Sequence, residues 1–152
     1  MSEKPTIEQV RAEPAGRQMD AWVAEYVMGL PNVHMCEGYL IHTQDSIQWN
    51  GALVVDFYST DIAAAWKVVE KLNNVQMPNH VGPTRVHRLS NCNNSWHIIF
   101  CSDFGYPPGE EVVENTAPLA ICRASLLSVL EKQKDVSKTI RLDWLCGKRD
   151  DE

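Results

Sequence analysis

YSTDIAAAWKVVEKL, residues 58–72, decides how this chain is read. Ser59, Thr60 and Asp61 are three consecutive helix-cap candidates, because each short side chain can accept a bond from a free N–H of the first turn. Behind them Ile62, Trp66 and Val69 recur at spacings of four and three, with alanines favouring helix between them. The spacing predicts a helix over Asp61–Leu72 with those three residues on its core face. Asn73 and Asn74 are suitable residues to end it, and Pro78 forbids its continuation.

Working outward, Leu53–Tyr58 is an apolar and aromatic run broken only by Asp56, and it reads as a strand feeding that helix. Downstream, Thr84–Asn91 and Ser95–Ser102 read as a hairpin, since Asn93 and Asn94 tolerate the positive φ that a two-residue turn demands. Pairing Cys92 with Ser95 carries the register to Arg88 with Ile99 and His87 with Phe100, and sets Leu89, Trp96, Ile98 and Phe100 on one face. Thr116 caps, and Pro118 fits the first turn of, a helix over Ala117–Glu131 with Leu119, Cys122, Leu126 and Val129 as its stripe.

Upstream, a helix over Arg17–Met28 has Met19, Trp22, Val23, Tyr26 and Val27 at helical spacing, with Asp20 and Glu25 toward the polar side and Gly29 as its stop. Thr6 followed by Gln9 forms a capping-box pattern ahead of a short first helix. From Asn32 to Asn50 the pattern is poor, with only Tyr39–Ile41 strand-like. Trp66 and Leu126 are the large residues assigned to the core. The fold expected is α+β: a small, mainly antiparallel sheet with helices packed on both faces.

At 152 residues, 44% hydrophobic and 22% charged, the chain is one domain's worth with a single core. The organisation expected is an N-terminal arm over 1–15, a domain over 16–132 and a polar tail over 133–152. A formal charge of −6 argues against long nucleic acids, whose affinity comes from Lys and Arg releasing counterions. No apolar run approaches the length of a membrane span, and the N-terminus MSEKPTIEQV has no signal-peptide character, so a host bacterial cytoplasm is expected. Five cysteines without CxxC spacing read as buried thiols, and five histidines without paired spacing offer no metal motif. Neither a metal nor a cofactor is expected.

Three stretches, QMDAWVAEYVMG at 18–29, YSTDIAAAWKVVEKL at 58–72 and TAPLAICRASLLSVL at 116–130, together resemble the phage ABA-sandwich domain family of phages and prophages. The resemblance implies a viral origin and helices on both faces of a small antiparallel sheet. It implies no reaction. A polar insert around Gly38–Gly51 and the tail after Leu130 depart from the typical member.

No GxSxG elbow, P-loop or GxGxxG is present, and catalysis is the weaker hypothesis. Arg123, a permanently charged fork on an otherwise apolar helix, suits bidentate recognition of phosphate; the alternative is that it pairs with an acidic neighbour or snorkels at the core's edge. Tyr58, Ser59 and Thr60 at a helix start can hold an anion and stack a base, or simply cap the helix. Trp49, Phe57, Trp96, Phe104 and Tyr106 are further stacking candidates. The leading expectation is a homo-oligomeric protein that sequesters a small nucleotide signal of host immunity, of cyclic-nucleotide or ADP-ribose type, with Arg123, Tyr58, Ser59 and Thr60 as ligand-binding residues. The alternative is a protein-binding module that inhibits a host factor through its acidic surface and the apolar patch of the tail at Ile140, Leu142, Trp144 and Leu145. A third reading is a phosphodiesterase-like enzyme using His42, His87 or His97 as acid or base.

Overall fold

A computed structural model describes residues 4–43, 52–74, 84–102 and 111–130. The tail over 133–152, insert residues 44–51 and the stacking candidates Trp49, Phe104 and Tyr106 lie outside that range. The described elements are helices α1 (Ile7–Ala12), α2 (Arg17–Trp22), α3 (Ile62–Asn74) and α4 (117–130), with strands β1 (His34–Cys36), β2 (Tyr39–His42), β3 (Leu53–Val54), β4 (Thr84–Cys92), β5 (Ser95–Ser102) and β6 (Val112–Glu114). The class is α+β and all pairing is antiparallel, as the sequence predicts, but the strands form two sheets, ordered β1-β2-β3 and β4-β5-β6.

Local chemistry accounts for most boundaries. Thr6 and Gln9 exchange the two bonds of a capping box, so α1 begins where expected. The second helix continues past Trp22 as a π-helical turn over Val23–Val27, and Gly29 at φ 71° follows it. Asn93 and Asn94, at φ 52° and 60°, make the hairpin turn. Register holds from Cys92 with Ser95 to Arg88 with Ile99; a bulge at His87 then pairs Val86, rather than His87, with Phe100. Strand β3 is only two residues long instead of running to Tyr58, because the chain leaves the ladder after Val54 and residues 58–60 turn into the helix.

One hydrophobic cluster joins every layer. Val10, Met19, Val23, Ala24, Leu40, Val55, Val68, Ile98, Ile121 and Leu126 are all essentially inaccessible. Helix α4 is buried nearly all round, with Ala120, Ile121, Cys122, Ala124, Leu126, Leu127 and Leu130 in the core, which is what a helix apolar on every side requires. Helix α3 packs against β4 and the π-helical turn.

The core face of α3 is not the one expected. Ala64, Ala65, Val68, Val69 and Leu72 are buried, whereas Ile62 and Trp66 are 52% and 46% exposed. Both stripes have helical spacing, and the alanine-bearing one lets the helix approach its neighbours closely. Leu126→Ala is expected to cost about 3 kcal/mol through the cavity it leaves. Trp66→Ala should cost well under about 1 kcal/mol, as surface changes do. Parallel denaturant melts check the contrast, and equal losses would contradict the assigned faces.

Candidate functional site

The turn between β3 and α3 divides its three capping residues among separate tasks. Asp61 is the cap: its Oδ1 accepts the Ala63 N–H at 2.8 Å. Ser59 is fully buried and turns back to the start of α2, where its hydroxyl accepts from the Gly16 N–H at 2.9 Å and donates to Asp20 Oδ1 at 2.8 Å. The Ser59 N–H donates to the same carboxylate oxygen at 2.8 Å. Asp20, expected on the polar side of its helix, is therefore wholly buried. Its burial is tolerated because Oδ2 also accepts from Arg17 Nη1 at 3.0 Å, which leaves the charge paired and hydrogen-bonded.

Arg17 extends this network into the first sheet. Its guanidinium donates to the carbonyls of Val55 at 3.0 Å, Asp56 at 3.3 Å and Leu40 at 3.4 Å, and lies 4.1 Å over the Phe57 ring. Tyr58 packs into the core with its phenol pushed up to about 12, first by burial and then by the Asp56 and Asp20 carboxylates. Thr60 remains exposed.

Arg123 serves the end of α1. From α4 its Nε donates to the Val10 carbonyl at 3.1 Å and its Nη2 to the Glu13 carbonyl at 2.5 Å, so it satisfies the carbonyl end of α1. Nη1 forms an ion pair with Glu114 of β6. Burial lowers the Arg123 pKa from its ordinary value. Two of the four residues expected to bind a ligand, Arg123 and Ser59, thus have their polar groups engaged inside the fold; Tyr58 is buried, and only Thr60 faces solvent. The structure does not gather them on one open surface. Of the histidines offered as acid or base, His42 stands on β2, with its Nδ1 buried and unpartnered among the described residues. His97 stands on β5 and pairs with Glu111 Oε1 at 3.1 Å, and the side chain of His87 lies outside the description.

What faces solvent instead is apolar. In the β1-β2-β3 sheet only the central strand is covered, by Leu40 in the core and Ile41 beside it. Met35, Tyr39, Leu53 and Val54 are each more than half exposed. Cross-strand pairing of Met35 with Leu40, and of Ile41 with Val54, puts these exposed side chains on both faces of a thin wing. Single exposed apolar residues are ordinary; here they come in pairs, Met35 and Leu53 on one face and Tyr39 and Val54 on the other.

Between Arg17 and Lys67 the sequence holds no Lys or Arg, but has Asp20, Glu25, Glu37, Asp45, Asp56 and Asp61. Asp20 is paired with Arg17 and Asp56 with Lys67, while Glu37 stands exposed at the turn from β1 to β2. The periodicity does not flag this surface, because Leu40 and Ile41 are both buried and point to opposite faces, so the central strand shows no alternation.

A family model described as the phage ABA sandwich domain matches residues 21–126. Among solved structures, the chain is similar to a phage protein from Bacillus cereus ATCC 14579, with 21% identity over 85% of this chain and 92% of that one and a TM-score of 0.46. No curated protein matches it. Among the described residues, no helix is long and apolar enough to cross a membrane.

Proposed function

The chain belongs to the phage ABA sandwich domain family, and from that premise we propose that it is a phage-encoded protein-binding module whose contact surface is the β1-β2-β3 wing. The observation that carries this reading is the exposure of Met35, Tyr39, Leu53 and Val54 on strands that themselves carry no Lys or Arg. Small-molecule sites are concave and enclose their ligand, whereas these side chains stand out into solvent, the arrangement suited to a broad macromolecular contact. The partner's chemistry follows from complementarity: an apolar patch with a basic rim, on a host factor whose activity the module would block.

Nucleotide sequestration is the competing reading, and one assay separates it. The protein is incubated with a host nucleotide extract, washed and heat-denatured, and the released material is analysed. The protein-binding reading predicts no retained nucleotide. Intact nucleotide in the heat release would overturn it in favour of sequestration, and a chemically altered product would point to an enzyme.

A further inference from the structure

We propose that the partner enters the wing as a strand, pairing its backbone with the open edge of β3 at Val54. The inference rests on the wing reading and adds the mode of contact. The Val55 N–H donates to the Leu40 carbonyl at 2.9 Å, which makes Leu40 and Val55 a hydrogen-bonded pair of the antiparallel ladder. Such pairs alternate along a ladder, so Val54, the next residue, turns its own N–H and C=O away from β2. Across the sheet the same alternation turns the N–H and C=O of Met35 outward from β1. Strands β1 and β3 are the two edges, and among the described residues neither Val54 nor Met35 has a backbone partner on that side.

Side chains and backbone together select β3, and a strand as its occupant. Leu53 and Val54 are consecutive, lie on opposite faces and are each more than half exposed, so a partner seated on either face alone would leave one of them in water. A strand added at the edge flanks both and also satisfies the outward N–H and C=O. The run from Ala52 to Val55 carries none of the residues that close an edge, neither a charge nor a Pro. Arg17 holds the run in place where it leaves β2, donating to the carbonyls of Leu40 at 3.4 Å and Val55 at 3.0 Å. At β1, by contrast, Asn32 at φ 51° and Glu37 at φ 49° bend the chain out of extension at both ends, and Val33 packs against the core. The occupant is therefore an extended segment whose consecutive apolar residues meet Leu53 and Val54 on the two faces. Basic residues flank that run, complementing a chain of charge −6 whose strands β1 to β3 hold no Lys or Arg. A second copy, also at −6, lacks that complementarity.

The test uses the full chain and the synthetic peptide Lys-Lys-Val-Ile-Val-Thr-Lys-Lys, read by amide hydrogen exchange and by titration. Saturating peptide is expected to slow exchange at the Val54 amide roughly tenfold or more, the sign of an edge N–H taken into a ladder. Val54→Pro, whose missing N–H faces away from β2 and so costs no ladder bond, should keep the wild-type melt and weaken peptide binding roughly tenfold or more. Val54→Ala, which trims the side chain and keeps the N–H, should weaken it about fourfold at most. No peptide binding, binding that leaves the Val54 amide unprotected, or equal losses from the two substitutions would overturn strand addition. So would Val54 protection that rises with protein concentration alone, since a second copy is then the occupant. The wing reading fails separately: host-protein capture indifferent to Tyr39→Asp sinks both, whereas capture lost in Tyr39→Asp but kept in Val54→Pro sinks strand addition only.

Discussion

Asp20→Ala is expected to lower stability by about 3 to 5 kcal/mol, the cost of breaking a buried ion pair by removing one member. The loss spreads through the network. The Ser59 N–H and hydroxyl lose their buried acceptor, and Arg17 loses the carboxylate that holds its guanidinium toward the carbonyls of Leu40, Val55 and Asp56. Since those three carbonyl bonds tie the wing to α2, amide exchange in β2 should accelerate more than in β5. Asp20→Asn keeps the shape and one acceptor oxygen and should recover part of the loss. Urea melts of the three proteins, with exchange measured on the wild type and Asp20→Ala, check both effects. An Asp20→Ala variant within about 1 kcal/mol of wild type would contradict the network.

Arg123→Ala comes next, at about 3 to 4 kcal/mol. It removes the donors to the Val10 and Glu13 carbonyls and leaves Glu114 without its partner, so α1 should fray first. Lysine in its place should restore only part of the stability, because an ammonium cannot reach both carbonyls and the carboxylate with a planar fork. Thermal melts of both variants beside wild type are the measurement. Melts unchanged from wild type, together with lost capture of a small anion, would return Arg123 to the ligand-binding role that the sequence suggested.

Much of the fold was legible because local signals and tertiary packing agree there. The capping box at Thr6 and Gln9, the Asn93–Asn94 turn and the apolar stretches of α2, α3 and α4 each carry their own instruction. The face of α3 was not legible, since Ile62, Trp66 and Val69 fit helical spacing as well as Ala64, Ala65, Val68, Val69 and Leu72 do. Alanine's small side chain hides how closely a helix can pack. Burial of Asp20 depends on Ser59, 39 positions away, and the engagement of Arg123 on Val10, 113 positions away. Single-sequence periodicity carries no information at those separations. The bulge at His87 shifts one register step without any residue type that demands it. Of the wing, Tyr39–Ile41 and the start of Leu53–Tyr58 read as strand, whereas β1 fell in the unpatterned stretch from Asn32, and the exposed side chains gave no signal because Leu40 and Ile41 are buried on opposite faces.

The most direct test of the wing is capture of host proteins on the immobilised chain, comparing wild type with Tyr39→Asp and with Leu53→Asp. Both residues are already more than half exposed, so melts should match wild type. The wing reading predicts a defined host protein held by the wild type, lost from both variants and released as salt screens its basic rim from the acidic surface. The same proteins held equally by wild type and both variants would contradict it.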